Sequence, residues 1–480
     1  MLPVLTPDEM RKADERAIAT GTPGSVLMDR AGRAVAWAVR RHVGSMYGLR
    51  VVALCGKGNN GGDGLIAADV LERWGARVTR VAIAEGVDRR ALERELHRTP
   101  IVIDAMFGTG FSGSLGGEAA WAARAVADSG ASVVAVDIPS GVDGATGAVE
   151  GVAVMAHRTV VMAALKTGVV QEPGRTHAGQ LEVAPIGIDT GPCSLGVTEP
   201  SDVRASTPSR DADANKWSVG GVLVVGGADG MTGAPLLVSH AALRSGAGIV
   251  WCEMPADAAA SASGTEVITK TLPTTEGAIA PEAAAVVAEH AERFGAAVVG
   301  PGLGTAPGTA SAVRSIVSAT PCALVLDADG LNALAGDLSQ LRARGNRATV
   351  LTPHGGEYAR LAGRAVGADR IAAARDLAAH AEAIVVLKGP GTVIAAPDGR
   401  AAVNPTGSSA LATAGTGDVL AGVIGGLLAR GVPPFEAAVS AVYVHGAAAD
   451  LLGPHGLVAP DLLDALPIAF EALDARGADR

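Results

Sequence analysis

Arg50-Val51-Val52-Ala53-Leu54, then Cys55-Gly56-Lys57-Gly58-Asn59-Asn60-Gly61-Gly62-Asp63-Gly64, then LIAADVLERWG from Leu65 to Gly75, decides the fold of the first half of the chain. A short aliphatic run fit for a buried strand meets a glycine-rich turn and then a stretch of helical length. Gly56, Gly58 and Gly61 satisfy the spacing of a dinucleotide-binding turn, with Glu85 as a later ribose acid. The Asn-Asn-Gly-Gly-Asp core adds two amides and a carboxylate that a plain phosphate cradle does not need. Asn59 and Asn60 could equally cap the helix that follows.

Working outward, aliphatic runs at Arg77–Ala84, Ile101–Ile103, Ser132–Val136 and Arg158–Ala163 alternate with segments of crossover length. That pattern predicts a parallel sheet covered by helices on both faces, an α/β fold. Upstream, Thr6 and Glu9 have capping-box spacing, Pro7 suits the first helical turn, and Met10, Ala13, Ala17 and Ile18 share one side. A second helix is expected over Val26 to Val43. From about Thr190 the periodicity decays into TGPCSLGVTEPSDVRASTPSRDADANK, read as an interdomain connection. Alternation resumes at Gly221–Val225, Ala296–Val299, Ala323–Leu326, Ala348–Leu351 and Ile384–Leu387, with helix-rich sequence from Gly417. The expected division is a domain over 1–200, a linker over 201–214 and a second domain over 215–480.

Composition narrows the function. The 480 residues include 64 glycines and only 3% aromatics, so aliphatic cores with tight turns are expected rather than an aromatic β-sandwich. A net charge of −10 disfavours nucleic-acid binding. No apolar stretch reaches membrane-spanning length, His157 and Arg158 interrupting one of the best, and the N-terminus lacks an apolar signal core. Cys55, Cys193, Cys252 and Cys322 have no paired spacing and read as buried, reduced thiols. These features place the protein in the cytoplasm. Small-residue helix faces permit a homo-oligomer without specifying one.

Two further loops end strands of the first sheet: Asp104-Ala105-Met106-Phe107-Gly108-Thr109-Gly110-Phe111-Ser112-Gly113-Ser114, and Asp137-Ile138-Pro139-Ser140-Gly141-Val142-Asp143. Either aspartate alone could cap the next helix. Three loops at one end of a parallel sheet instead converge on one crevice. With LTPDEM near the start, NNGGD, DAMFGTG, VDIPSGVDGATG, ALKTG and IGID, the first half resembles the NAD(P)H-hydrate epimerase family, a Rossmann-like domain. The resemblance implies that Asn59, Asn60, Gly61, Gly62 and Asp63, with Gly108, Thr109, Gly110, Phe111, Ser112, Gly113 and Ser114, take the pyrophosphate and ribose of the substrate. It implies a potassium ion on Asn60, Asp104 and Ser140, Asp137 as acid/base on the hydrated ring, and Lys166 as a secondary catalytic group. A snorkelling surface lysine is the alternative for Lys166.

The second half carries its own loops. They are Ala228 to Pro235 after GGVLVVGG, Gly300-Pro301-Gly302-Leu303-Gly304, LVLDADGLNAL, LTPHGGEYARL, Lys388-Gly389-Pro390-Gly391-Thr392, Asn404-Pro405-Thr406-Gly407, and Ala414-Gly415-Thr416-Gly417-Asp418. Gly415 to Gly417 can turn amides inward at a helix start, an anion hole for a transferring phosphoryl group, with Asp418 beside it to accept a proton. A structural glycine cap is the alternative for this turn, and a strand-end cap for Lys388. A lone histidine such as His354 is a poor metal ligand and a better loop contact. Asp327 and Asp329, near Asn332, are candidates to position phosphate, a helix cap being the simpler reading of Asp329.

The series TGAP, GPGLG, DADGLN, TPHGGE, LKGPGT and GTGDVLAG resembles the ribokinase-like ADP-dependent NAD(P)H-hydrate dehydratase family over about Asn215 to Leu466. The resemblance assigns Ala234, Gly302, Gly304, His354 and Asp418 to the hydrated dinucleotide. It assigns Lys388, Gly389, Pro390, Gly391, Thr392 and Gly417 to the adenine nucleotide, with magnesium as cofactor and ADP as co-substrate. Ser408-Ser409 and Ala414-Gly415 depart from the family pattern, and the methyl of Ala414 would restrict the loop if that position needs positive φ. A ribokinase-like kinase acting on a vitamin or sugar alcohol, with an accessory nucleotide-binding domain, explains GTGD but leaves TPHGGE and the N-terminal loops without a role. A nucleotide-responsive binding module is the non-enzymatic alternative.

Overall fold

The computed structural model describes residues 1–261, 266–275 and 278–478. It divides into two compact units, an N-terminal one over Leu2–Gly196 and a C-terminal one over Val197–Arg480 that also takes in Met1.

In the N-terminal unit, Thr6 caps helix α1 (Pro7–Ala19) through a complete capping box with Glu9, an arrangement worth about 1 kcal/mol. Met10, Ala13 and Ala17 are buried as expected, but Ile18 is exposed. It follows Ala17 by one residue, a turn of about 100°, which carries it off the buried stripe. Helix α2 spans Gly24–Val43. Six strands, β1 (Arg50–Cys55), β2 (Arg77–Ala82), β3 (Ile101–Ala105), β4 (Ser132–Val136), β5 (Arg158–Met162) and β6 (Gln180–Ala184), form a sheet in the order β2-β1-β3-β4-β5-β6. Every pairing in it is parallel. The chain leaves β1 toward β2 and returns to pair β3 on the other side, so the order reverses at β1. Such a reversal opens a crevice at the carboxyl ends of β1 and β3, where helix α3 (Asn59–Arg73) begins.

The C-terminal unit repeats the device. Its strands are β7 (Gly221–Val225), β8 (Ile249–Pro255), β9 (Ile268–Leu272), β10 (Ala296–Val299), β11 (Ala323–Leu326), β12 (Thr349–Leu351), β13 (Ile384–Leu387), β14 (Val393–Ala395) and β15 (Ala401–Val403), ordered β9-β8-β7-β10-β11-β12-β13-β14-β15. The pairings are parallel as far as β13, and β14 and β15 add antiparallel. Reversal here falls between β7 and β10. Helix α4 (Pro200–Ser206) occupies part of the stretch expected to be linker. Its Val203 is fully buried in the core of the C-terminal unit, and that single apolar anchor among polar residues is what the composition concealed.

Helices α5 (Gly233–Arg244), α6 (Gly355–Ala362), α7 (Thr416–Ala429) and α8 (Pro434–Leu452) complete the elements that shape the site. Helix α7 is buried all round from Val419 to Ala429, as its uniformly apolar sequence requires. Glycines let it approach its neighbours. A Cβ on Gly422 would lie 2.2 Å from the Val238 carbonyl oxygen, and one on Gly425 would lie 2.6 Å from Val298. Among the described residues all four cysteines are free, Cys55 and Cys252 buried but Cys193 and Cys322 only partly so. No described helix is long and apolar enough to cross a membrane.

Glycine to alanine inside a helix ordinarily stabilises by up to about 1 kcal/mol. At Gly422 the obstacle is backbone, so the sign should reverse. Gly422→Ala is expected to destabilise the C-terminal unit by about 1–3 kcal/mol, read as a lowered midpoint in thermal unfolding. An unchanged or raised midpoint would refute the close packing of α7 on α5.

Candidate active sites

In the N-terminal unit the three loops meet at the carboxyl end of the sheet. Gly56 donates its N–H to the Ala105 carbonyl at 3.0 Å, and a Cβ there would lie 1.9 Å from the Met106 carbonyl oxygen. Only glycine permits that approach. Asn60 does not cap α3; the N-cap is Gly58, without a side-chain bond. Its amide instead donates to the Phe107 carbonyl at 2.8 Å. The third loop joins through Gly144, whose N–H donates to the Phe111 carbonyl at 3.1 Å.

Asp104, the penultimate residue of β3, is fully buried. It accepts the Ser140 hydroxyl at 2.6 Å and the Ser140 amide at 2.8 Å, and Ser140 Oγ accepts the Phe107 amide at 3.0 Å. Burial pushes Asp104 up to about 6 against these bonds, and no cationic side chain is among the groups acting on it. A buried carboxylate answered only by dipoles, beside the Asn60 amide and the Ser140 hydroxyl, offers the hard oxygen ligands that a potassium ion takes. The residues fit that group.

Asp137 follows β4 at φ 66°, a left-handed conformation that a non-glycine residue adopts at a cost of about 1 kcal/mol. The turn aims its carboxylate at Lys166 Nζ, 2.5 Å away, and at the Met162 amide, 3.1 Å away. Lys166 is 1% exposed and also donates to the Met162 carbonyl. A snorkelling surface lysine is therefore excluded. Its strand, Leu165–Lys166, pairs with Val4 and Leu5, which brings the opening segment to the site. Asp14 on α1, absent from the sequence reading, is raised by burial and feels both Lys166 and Asp137. Asp63 is raised further, to about 8, by burial and then by Asp137 and Asp14. Three acidic groups thus share one ammonium, and burial favours the protonated form of Asp63. Gly108 lies against Asn60, while Gly110, Ser112 and Ser114 line the exposed side of the loop.

In the C-terminal unit, Gly226 and Gly227 meet Pro301 at the reversal point, with the Gly227 amide 2.9 Å from the Pro301 carbonyl. Ala234 and Gly302 are neighbours across the same crevice. Asp329 is not an N-cap: its carboxylate accepts the Gly304 amide at 2.8 Å and ties the GPGLG loop to the next strand end. Lys388 Nζ bonds Asp327 at 2.7 Å and lies 3.9 Å from Glu357. Burial alone would lower Lys388, but Asp327 and Glu357 outweigh it and hold the ammonium above its ordinary value. The KGPGT stretch forms the antiparallel turn between β13 and β14, with left-handed Gly391 at φ 62°. His354 caps α6, its Nδ1 accepting the Gly356 amide at 2.9 Å, and its Nε2 lies 3.5 Å from the Glu357 carboxylate.

Asp418 lies in the first turn of α7, and burial, then Asp327, push it up to about 7. A carboxyl poised near neutrality beside helix-start amides can take a proton from an attacking hydroxyl. The left-handed residue of this turn is Gly415, at φ 87°, and Ala414 has no positive φ, so its methyl does not strain the loop. Gly417 faces Lys388 Nζ and Asp327 Oδ2. Among the described residues no three His, Cys, Asp or Glu side chains form a metal cage, and magnesium does not require one, being ordinarily held by one or two carboxylates together with substrate phosphates.

A family model described as NAD(P)H-hydrate dehydratase matches residues 222–467, and one described as YjeF-related protein N-terminus matches 24–98 and 81–168. The chain is 42% identical to the bifunctional NAD(P)H-hydrate repair enzyme Nnr of Salinibacter ruber, over 97% of this chain and 95% of that one. With the enzyme of the same name from Moorella thermoacetica it shares 38% identity over 98% and 97%. Among solved structures, the ADP/ATP-dependent NAD(P)H-hydrate dehydratase of Bacillus subtilis, co-crystallised with ATP and Mg2+, is 34% identical with a TM-score of 0.50, covering 58% of this chain and 98% of that one. A ribokinase-like protein of Enterococcus faecalis, 23% identical at a TM-score of 0.50 over 58% of this chain and 96% of its own, shares the fold. With both halves matched and full-length relatives at such identity, the chain belongs to the family of bifunctional NAD(P)H-hydrate repair enzymes.

Proposed function

We infer that the two units carry out consecutive steps of nicotinamide-nucleotide repair. The N-terminal unit interconverts the R and S forms of hydrated NADH or NADPH, and the C-terminal unit dehydrates the S form at the expense of ADP. The observation that carries this reading is the pairing of two separate part-buried carboxylate sites, one in each unit, with opposite electrostatics. Asp137 is held ion-paired to Lys166, whereas Asp418 is held near neutrality.

In the epimerase unit, Asn59 to Asp63 and Gly108 to Ser114 take the pyrophosphate and ribose. Asp137 delivers and removes the proton needed as the C–O bond at the hydroxyl-bearing carbon is broken and remade or the ring opens and closes, with Lys166 steadying its charge. Asn60, Asp104 and Ser140 would hold potassium, which when bound offsets the buried Asp104 charge. In the dehydratase unit, Ala234, Gly302, Gly304 and His354 hold the hydrated dinucleotide, and Lys388 to Thr392 with Gly417 hold the adenine nucleotide. Asp418 takes the proton of the ring hydroxyl as its oxygen attacks the β-phosphorus of ADP, and AMP leaves. The ring nitrogen lone pair then expels phosphate, and loss of the adjacent carbon-bound proton restores the double bond. Magnesium, brought by the nucleotide, would neutralise its phosphate charge. Free thiols and a nucleotide substrate fit a cytoplasmic setting. A stable phosphorylated alcohol as product would favour the small-molecule kinase reading, and binding without turnover the module.

Supplied with mixed hydrated NADH and ADP, the intact chain should restore all of the reduced-nicotinamide absorbance. Asp418→Ala should slow dehydration at least about 100-fold. Asp137→Asn, which tolerates the left-handed backbone, should leave only the S fraction rapidly repaired. Wild-type behaviour from both variants would refute the assignments.

The dehydration should also report Asp418 in its pH profile. Below about 7 this carboxyl keeps its proton and cannot act as base, so kcat/KM is expected to fall as pH drops through that value. The folded state holds a proton there that the unfolded chain releases. Asp418 therefore contributes stability at low pH that is lost as pH rises toward 7. A limb only near pH 4 would remove Asp418 as the base.

A further inference from the structure

His445 sits midway along α8, 7% exposed, among buried Val442, Tyr443, Val444 and Ala448. An imidazole there is costly unless its polar atoms find partners. Its Nε2 lies 2.9 Å from the carbonyl oxygen of Thr416. A carbonyl only accepts, so this nitrogen donates, and burial pushes His445 down to about 4, leaving the ring neutral.

The peptide joining Thr416 to Gly417 is trans. In a trans peptide the carbonyl and the next N–H lie in one plane and point opposite ways. Holding the Thr416 carbonyl from the α8 side therefore turns the Gly417 N–H away from α8. On Gly417 a Cβ would lie 3.4 Å from Lys388 Nζ and 3.9 Å from Asp327 Oδ2, so the residue faces that charged pair. The Thr416 hydroxyl is engaged within its own loop, donating to the Leu411 and Thr413 carbonyls. Helix α8 holds the neighbouring NPTG loop as well: Thr406 Oγ1 donates to the Tyr443 carbonyl at 2.8 Å.

We propose that His445 is a positioning residue for phosphoryl transfer, fixing the Thr416–Gly417 peptide plane so that the Gly417 amide is aimed at the transferring group. It acts through Gly417 and touches neither nucleotide nor hydrate. A hydrogen bond on the carbonyl also polarises the peptide and strengthens the N–H as a donor. This inference rests on the dehydratase reading of the C-terminal unit.

The test uses the full chain with S-form NADH hydrate, ADP and magnesium. His445→Leu removes the donor, and His445→Gln returns an amide N–H at similar reach. His445→Leu should lower kcat about 10- to 100-fold while KM for ADP and hydrate stays within about threefold, and His445→Gln should recover to within about fivefold of wild type. Epimerase turnover in both should match wild type. A folded His445→Leu protein with wild-type kcat, or equal impairment of the two variants, would overturn the proposal. Should His445→Leu fail to fold, His445→Gln against the shorter His445→Asn decides it: a faster Gln variant supports the role, equal rates overturn it. A wild-type chain inert toward the hydrate would instead refute the dehydratase reading.

Discussion

A carboxylate withdrawn from water must be answered by a cation, by hydrogen-bond donors, or by a proton, and each choice gives it a different chemistry. Both units use this constraint. Asp137 is answered by Lys166. Asp104 is answered by Ser140 and backbone amides. Asp63 and Asp418 are pushed up by burial toward the protonated form. Asp104 and Asp137 come from the carboxyl ends of strands, and Asp63 and Asp418 from the beginnings of helices α3 and α7.

The contrast between the two lysines sharpens the division of labour. Lys166 serves one carboxylate and one carbonyl at the end of a short strand. Lys388 is contested by Asp327 and Glu357, with Asp418 acting at longer range. An ammonium held by several acids in a phosphate site can be drawn toward an arriving phosphate without leaving any one acid wholly unpaired.

Much of this was legible in the residues. Aliphatic runs gave β1, β4, β7, β10, β11 and β13 because parallel strands buried on both faces read as unbroken apolar stretches. The strand Ile249–Pro255 escaped notice because Trp251, Cys252, Glu253 and Met254 break that signature, and β14 and β15 because three-residue strands between turns carry almost no periodicity. The glycine loops announced the sites through spacing. Asp14 and His445 did not, since one sits on an ordinary amphipathic helix and the other inside an apolar one. Only tertiary packing shows what each faces.

Helix α7 carries Asp418 at its start and, further along, glycines pressed against neighbouring backbone. Because the obstacle at Gly422 is the Val238 carbonyl oxygen rather than a side-chain tip, no trimming of a partner residue can make room for a larger group. Second-site suppressors of a change there must displace a whole helix, and with it Asp418. Packing tolerance along this segment and the placement of Asp418 are consequently one constraint.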